Sequence, residues 1–319
     1  MNNLGKLNDK KIGIIGLGNV GSTTAYTFAL SKMFNEIVLV DNNTEKASGE
    51  ALDISHSIPF LQPMEIKEGG YDDLMDAKII VITAGAAQKE NETRLDLISK
   101  NIVIFKSIIG EIKRRNYQGI LLIVSNPVDV LTLATIKISG FDKNRVIGSG
   151  TVLDSARLQF SLSKHLNIDP RSINAFIIGE HGDSEFPLWS NANVEGIPLS
   201  KFCEFKGYFD HEKETDRLAS IVRKSAYEII AKKRATYYGI ATSTLRIVKA
   251  IINDENTILP ISTYIENEYG LNDTCLSIPS IINKNGFVTH LPLTLLDSEK
   301  EKLMNSAKEL KDSIKNISF

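Results

Sequence analysis

The most constraining feature of this chain is the glycine-rich segment at residues 16–21 (GLGNVG), which lies between an apolar run and a helical pattern. Residues 11–16 (KIGIIG) are typical of a buried strand, and residues 22–31 place small and apolar side chains at helical spacing. In this context the first glycine allows a tight turn, the second lets a ligand approach the backbone, and the third lets helix and strand pack closely. The segment therefore predicts a pyrophosphate site at a helix N-terminus.

A second strand pattern, residues 36–40 (EIVLV), ends at Asp41, which lies 20 residues after Gly21. This is the spacing of a carboxylate that binds the ribose hydroxyls of a dinucleotide, and its charge repels a 2′-phosphate. NAD is therefore the expected cofactor, in preference to NADP. Taken alone, Asp41 could instead belong to the N-cap region of a helix at residues 43–50.

Strands and helices alternate through the rest of the first half. Strand patterns occur at residues 64–67, 77–84, 119–125 and 145–147, and helical patterns at residues 94–114 and 128–138. Near-continuous apolar strands between helices indicate a parallel sheet that is covered on both faces. We therefore predict an α/β fold, with an N-terminal doubly wound Rossmann sheet in residues 1–148.

The pattern changes in the second half, where longer amphipathic helices alternate with antiparallel strands. The helices are expected at residues 212–232, 236–253 and 298–315, and the strands at residues 257–265 and 274–288, with a turn at residues 283–286. We predict a second, mixed α+β domain that binds the substrate, in residues 149–319.

The composition excludes several classes of function. The net charge of −2 favours neither nucleic acid nor an anionic membrane as a partner. No run approaches the roughly 18 apolar residues of a membrane span, and the first residues have no apolar signal segment. Cys203 and Cys275 lack the spacing of metal ligands, so we expect free thiols, no metal and a cytoplasmic protein.

Polar side chains follow two of the predicted strands, at the edge where such sheets bind ligands. Residues 86–94 form a polar segment that could close over a substrate, or could be a plain surface connection. Asn126 follows another strand, where its amide could contact cofactor and substrate oxygens, or could simply form a turn.

His181 lies between two glycines after the apolar run 173–178, where an imidazole could face a small ligand and transfer a proton near neutral pH. Asp154 and Arg157 lie three residues apart on one helix face. They could form a surface ion pair of little energetic value. Alternatively, Asp154 could bind the imidazole and raise its pKa, and Arg157 could bind a substrate carboxylate.

Taken together, the chain resembles the lactate/malate dehydrogenase family over essentially its whole length. The matching segments are GLGNVG with Asp41, TAGA with Thr93 and Arg94, SNPVD at residues 125–129, DSAR at residues 154–157, GEHGD at residues 179–183 and ATYYGI at residues 235–240. The resemblance implies hydride transfer between NADH and a 2-oxo acid, giving an L-2-hydroxy acid. A nucleotide sensor without catalysis is the rival, and it is disfavoured because the catalytic set is intact.

The resemblance also implies a role for each matching residue. His181 looks like the proton donor and acceptor, Asp154 its partner, Arg157 the carboxylate clamp and Arg94 the group that polarises the reacting carbonyl. Asn126 and Thr236 match substrate-binding positions. The cofactor contacts carried over are Gly16, Gly18, Val20, Gly21, Asp41, Lys46, Tyr71, Gly85, Ala86, Val124, Asn126 and Ile240.

Gln88 bears on the choice of substrate. The malate branch carries an arginine there, which pairs with the second carboxylate of its substrate. A neutral amide would leave that carboxylate unpaired in a closed site. We therefore expect a monocarboxylic 2-oxo acid, pyruvate being the simplest. Residues 239–246 and 276–281 look somewhat like L-2-hydroxyisocaproate dehydrogenases, which prefer larger uncharged substrates.

A further departure concerns regulation. Family members activated by fructose 1,6-bisphosphate carry an arginine and a histidine where this chain has Gln159 and Asn174. We therefore expect no activation through that site. Because most of the family forms dimers or tetramers, a homotetramer is expected, with a role in glycolysis and fermentation.

Overall fold

The computed structural model describes residues 6–86, 93–315 and 317, without the side chains of Arg94, His211 and Glu212. Its centre is a 9-stranded sheet. The first strands of that sheet are β1 Asn8–Ile15, β2 Glu36–Val40, β3 Glu65–Glu68, β4 Ala77–Ile82, β5 Ile120–Ile123 and β6 Val146–Gly148. They lie parallel in the order β3-β2-β1-β4-β5-β6, which is the arrangement of dinucleotide-binding sheets. The predicted Rossmann half is confirmed.

The strands of this half are almost fully apolar because helices cover both faces of the sheet. Those helices are α1 Asn19–Ser31, α2 Thr44–Ser55, α3 Arg94–Arg114 and α4 Val128–Ser139. One hydrophobic cluster includes Phe105 of α3 and another includes Phe28 of α1, both fully buried. Helix α3 begins where Thr93 caps it, since Thr93 Oγ1 accepts the N–H of Asp96 at 3.2 Å.

The second half combines helices with short and long antiparallel strands. Its helices are α5 Val152–Leu166, α6 Leu199–Phe205, α7 His211–Lys233, α8 Tyr238–Ile252 and α9 Asp297–Ile314. Its strands are β7 Ile173–Asn174, β8 Ile177–Ile178, β9 Phe186–Pro187, β10 Asn193–Val194, β11 Ile197–Pro198, β12 Thr257–Glu268, β13 Leu271–Asn283 and β14 Gly286–His290. The expected mixed α+β character is therefore present.

Two details differ from the sequence-based expectation. The apolar run 173–178 is interrupted, because β7 pairs with β10 whereas β8 pairs with β9. The second is a turn at Tyr269 and Gly270 that joins β12 to β13, whereas the turn between β13 and β14 lies at residues 283–286, as predicted.

The two halves share one sheet. Strand β12 pairs antiparallel with β6 through Ser262 and Gly148, so β12, β13 and β14 extend the parallel sheet. Among the helices that the described residues form, none is long and apolar enough to cross a membrane.

We predict that Gly148→Ala weakens this junction. An added Cβ would lie 2.4 Å from Thr132 Oγ1 and 2.8 Å from Ser262 Cβ, and such overpacking costs about 1–3 kcal/mol of unfolding free energy. The matched control is Gly110→Ala within α3, where the added Cβ has no atom within 4 Å apart from its chain neighbours and the backbone of its own helix. That change should stabilise the protein by roughly 0.5–1 kcal/mol, because alanine favours a helix. Urea unfolding measures both, and equal effects of the two changes would contradict the packing argument.

Candidate active site

A cavity of about 500 Å³ opens at the carboxyl ends of β1, β2 and β4. Ligands bind at this edge in open α/β sheets. Six of the predicted cofactor residues line it: Gly16, Gly18, Asp41, Tyr71, Gly85 and Ala86.

The three glycines of the first turn differ in what surrounds them. Gly16 has a φ of +96°, and an added Cβ would lie 2.4 Å from the backbone of Ala84. At Gly21 a Cβ would lie 1.9 Å from the carbonyl oxygen of Gly16, so strand and helix are in close contact there. At Gly18 no atom lies within 4 Å of an added Cβ. The open space is therefore beside the glycine that precedes α1, where a pyrophosphate would meet the helix N-terminus.

The carboxylate of Asp41, at the end of β2, accepts two backbone N–H groups. Its Oδ1 accepts the N–H of Asn43 at 3.0 Å, just before α2. Its Oδ2 accepts the N–H of Leu17 at 2.6 Å, which ties the glycine turn to β2. Because each carboxylate oxygen has two lone pairs, both can still accept a hydrogen bond from a ribose hydroxyl.

Other predicted cofactor residues do not line this cavity as the structure describes it: Val20, Gly21, Lys46, Val124, Asn126 and Ile240. Val124 is buried at the end of β5. Gly21 acts through packing, as the glycine motif predicted.

A second cavity, of about 420 Å³, contains the predicted proton-transfer group. Asn126, Asp154, Arg157 and His181 all line it. Thr236, between α7 and α8, is half-buried and is not among its described lining residues. Gln88 lies outside the described residues, as does the side chain of Arg94.

Asn101, which the sequence analysis missed, joins the two cavities. It is fully buried in α3. Its Oδ1 accepts the N–H of Ala86 at 2.7 Å, and its Nδ2 donates to the carbonyl of Asn126 at 2.8 Å. The sequence feature that could have identified Asn101 is the position of an amide side chain on the apolar face of a helix, between Ile98 and Phe105.

His181 is carried by a loop between β8 and β9 whose backbone is bound on several sides. Its N–H donates to Oδ2 of Asp129 in α4 at 2.7 Å. Gly179 exchanges two backbone hydrogen bonds with Ser277 of β13, and Glu180 N–H donates to Ser306 Oγ of α9 at 2.7 Å. The imidazole therefore projects from a fixed loop.

Asp154 is the partner of this imidazole. Asp154 Oδ2 lies 2.7 Å from His181 Nδ1, and Asp154 Oδ1 accepts from Arg157 Nη1 at 2.7 Å. The side chain of Asp154 is only 2% exposed, so the ion pair is buried and not on the surface. Because Nδ1 faces Asp154, the other ring nitrogen, Nε2, is the one available to a ligand.

These contacts shift both pKa values. Burial alone would lower the pKa of His181, but the carboxylates of Asp154 and Glu185 outweigh burial and hold it well above the ordinary value. Burial would raise the pKa of Asp154, but His181 and Arg157 lower it overall. The charged forms of both groups are therefore favoured.

Glu185 is a second residue that the sequence analysis missed. Its Oε2 lies 3.7 Å from His181 Nδ1, and its side chain is 4% exposed. Burial and the charge of Asp154 raise the pKa of Glu185 to about 7, although His181 opposes the shift. Nothing in the sequence separates Glu185 from other acidic loop residues, because its position depends on the pairing of Phe186 with Ile178.

Sequence comparison assigns both halves of the chain. Residues 10–148 match the lactate/malate dehydrogenase NAD binding domain, and residues 151–318 match the lactate/malate dehydrogenase alpha/beta C-terminal domain. The chain belongs to the lactate/malate dehydrogenase family. It is thus an NAD-dependent oxidoreductase, and the open space at Gly18 fits the cofactor of the family.

Close relatives within the lactate/malate dehydrogenase family carry one name. An L-lactate dehydrogenase of Clostridium botulinum is 50% identical over 313 residues, which cover 98% of each chain. One of Acetivibrio thermocellus is 48% identical over 308 residues, which cover 97% of each chain.

Solved structures of this dehydrogenase family have the same fold. The minor L-lactate dehydrogenase of Enterococcus mundtii in its ligands-bound form matches with a TM-score of 0.94 and 40% identity, covering 97% of this chain and 99% of that one. A lactate dehydrogenase enzyme from a Medee basin deep-sea metagenome library matches with a TM-score of 0.94 and 42% identity, at the same coverage.

We predict that Glu185→Gln flattens the pH dependence of stability. Glu185 holds its proton more tightly in the folded chain, so its contribution is full below its ordinary pKa of 4.5 and is lost as the pH rises through about 7. At about 1.4 kcal/mol per pKa unit, the loss amounts to at most about 3–4 kcal/mol. Urea unfolding at pH 5, 6, 7 and 8 measures it.

The matched control for this experiment is Glu195→Gln, which removes an exposed carboxylate from the turn between β10 and β11. The free energy of unfolding of this variant should depend on pH in the same way as that of the wild type. Parallel curves for Glu185→Gln and the wild type would show that Glu185 does not titrate in this range.

Proposed function

We propose that this chain catalyses the reversible, NADH-dependent reduction of pyruvate to L-lactate. The observation that carries the proposal is the buried hydrogen bond between Asp154 and His181 Nδ1, in a cavity that Arg157 and Asn126 also line. It is the arrangement that a proton donor needs beside an anionic substrate, since the imidazole is both charged and oriented. The name shared by the relatives supports pyruvate as the substrate.

Each side chain then has a distinct role in the reaction. NADH supplies the hydride when it is bound. His181 Nε2 gives its proton to the carbonyl oxygen that becomes the hydroxyl, while Asp154 stabilises the imidazolium and fixes its orientation. Arg157 has five N–H donors, of which one goes to Asp154, and it binds the substrate carboxylate with others. Arg94 polarises the carbonyl and Asn126 helps to hold its oxygen.

Substrate choice is assigned to Gln88, with Thr236 beside the substrate. A neutral amide tolerates the uncharged methyl group of pyruvate beside it. It leaves the second carboxylate of oxaloacetate without a partner, which disfavours oxaloacetate as a substrate. A wider pocket would instead favour longer substrates, as in L-2-hydroxyisocaproate dehydrogenases. Valine, alanine and isoleucine side chains of α7 line part of the second cavity: Val222, Ala226 and Ile230.

We further propose that the enzyme is not activated by fructose 1,6-bisphosphate. Gln159 donates to the carbonyl of Ala175 at 3.3 Å, and Asn174 donates to Asn193 Oδ1 at 3.2 Å. Both side chains are neutral, so neither supplies the positive charge that a phosphate ester requires.

The oligomeric state, the location and the metabolic role follow from the same proposal. We propose a cytoplasmic homotetramer that regenerates NAD for glycolysis during fermentation, with residues 1–148 and 149–319 as its cofactor and substrate domains. Large apolar side chains on the surface support assembly, because subunit contacts would cover them. Examples are Leu52, Phe60 and Tyr238, which are 60%, 85% and 66% exposed.

The first test compares pyruvate, oxaloacetate and 2-oxoisocaproate as substrates for NADH oxidation, each with and without fructose 1,6-bisphosphate. We expect pyruvate to lead by at least tenfold in kcat/KM, which corresponds to about 1.4 kcal/mol of transition-state preference. Gln88→Arg should move the preference toward oxaloacetate, because it supplies the missing charge. The bisphosphate should change none of these values.

A lead for 2-oxoisocaproate would refute pyruvate as the main substrate and leave the catalytic roles intact. An unchanged ratio in Gln88→Arg would remove Gln88 from substrate selection. A large fall in the KM for pyruvate with micromolar bisphosphate would overturn the regulatory proposal.

His181→Asn tests catalysis against cofactor binding. Asparagine cannot supply a proton at Nε2, so kcat for pyruvate should fall by roughly the 10²–10⁴-fold that general acid catalysis contributes. NADH binding, followed by its fluorescence, should change little because the cofactor cavity does not include His181. Loss of NADH binding in His181→Asn would instead make His181 a structural residue.

A further inference from the structure

Two carboxylates face a single ring nitrogen in the second cavity. His181 Nδ1 lies 2.7 Å from Asp154 Oδ2 and 3.7 Å from Glu185 Oε2. Both carboxylates are nearly inaccessible to water, with side-chain exposures of 2% and 4%. One carboxylate is enough to orient an imidazole, so the second requires a different explanation.

The charges around the imidazole indicate what the second carboxylate does. With His181 protonated, the positive charges of His181 and Arg157 balance Asp154 and an ionised Glu185. Once His181 is neutral, the same group carries one net negative charge away from water, which is unfavourable. An ionised Glu185 therefore makes His181 harder to deprotonate, and a neutral His181 favours protonation of Glu185.

The other charged or titratable groups near this pair lie on several elements. Asp129 of α4 accepts the backbone N–H of His181. Asp183 of the same loop and Arg223 and Tyr227 of α7 line the cavity, and Tyr227 donates to Asp183 at 2.9 Å. Among the described groups, Asp154 and Glu185 are the carboxylates that lie within 4 Å of His181 Nδ1.

We propose that Glu185 is a positioning residue that sets how tightly His181 holds its transferable proton, and so sets the pH range of the reaction. The proposal rests on the proposed function of His181 as proton donor. Asp154, His181 and Glu185 also lie within 4.8 Å of one another, which is close enough for metal ligands. Arg157 is bound to Asp154, however, and its charge disfavours a cation there, so we assign a proton to this cluster.

Two consequences follow for catalysis. Pyruvate reduction needs a protonated His181, so an ionised Glu185 extends reduction to higher pH. Lactate oxidation needs a neutral His181, so the same carboxylate limits oxidation at low pH. The pH limits of pyruvate reduction and of lactate oxidation both depend on the protonation of His181. A change at Glu185 must therefore move both limits in the same direction along the pH axis.

The experiment measures kcat/KM for pyruvate at saturating NADH from pH 5 to 10 in the wild type, Glu185→Gln, Glu185→Asp and Glu195→Gln. In Glu185→Gln the alkaline limb should move down by about one pH unit, the size expected for loss of a charge within 4–6 Å. Activity above that limb should fall about tenfold while the neutral plateau remains. The acid limb of lactate oxidation should move down as well.

Two of these variants act as controls. Glu185→Asp keeps the charge and should restore part of the shift. Glu195→Gln removes an exposed carboxylate in the turn between β10 and β11 and should leave both limbs unchanged. NADH binding and thermal unfolding establish that each variant is folded.

An alkaline limb that stays in place in Glu185→Gln would overturn the proposal. A lower plateau with an unmoved limb would also overturn it, since Glu185 would then only support the loop. Neither result depends on how stable the variants are, provided that they bind NADH.

A second measurement separates this proposal from the proposed function. The chain has 5 histidines, so ¹³C-labelled histidine gives a spectrum in which His181 is assigned by its loss in His181→Asn. Titration of this signal without substrate should show a lower pKa in Glu185→Gln than in the wild type. Lack of pyruvate turnover with this shift present would refute the proposed function alone, and an unshifted signal would refute the role of Glu185.

Discussion

The buried carboxylate of Asp154 is the interaction on which the site depends. It binds His181 with one oxygen and Arg157 with the other, so a single group sets the spacing of the two cations. A charge this far from water is tolerated only when it is paired, and loss of either partner would leave the other charges unbalanced. Asp154 also lies in the first turn of α5, where the helix dipole favours a negative charge.

The short Asp154–His181 distance is maintained by backbone contacts away from the ring. Thr151 Oγ1, just before α5, donates to the carbonyl of Ile177 at 2.6 Å, and Ser155 Oγ accepts the N–H of Ile177 at 2.9 Å. Ile177 belongs to β8, the strand that leads into the loop of His181. Both polar backbone groups of that strand residue are thus bound by the start of α5. The carboxylate and the imidazole are thereby carried on two elements that cannot move independently.

The sequence predicted those parts of the molecule that depend on local patterns. The glycine turn, Asp41 and the apolar strands identify the parallel half because each signal lies within a few residues, and the resemblance brought His181, Asp154 and Arg157 together. The junction of β12 with β6 was not predicted, since it depends on Ser262 meeting Gly148 across 114 residues of chain. Asn101 and Glu185 were missed for a similar reason: their partners are fixed by packing and by the β8–β9 hairpin.

Asn101 explains how the first and the second cavity keep their relative position. Ala86 lines the first cavity and Asn126 lines the second, and both are bound by the same buried amide. The side chain at position 101 must offer an acceptor to the N–H of Ala86 and a donor to the carbonyl of Asn126. A carboxylate would offer only acceptors and an aliphatic side chain would offer neither, so each would leave at least one of these two backbone groups without its partner. The amide is therefore the side-chain type that can bind the backbone at the edges of both cavities from one position.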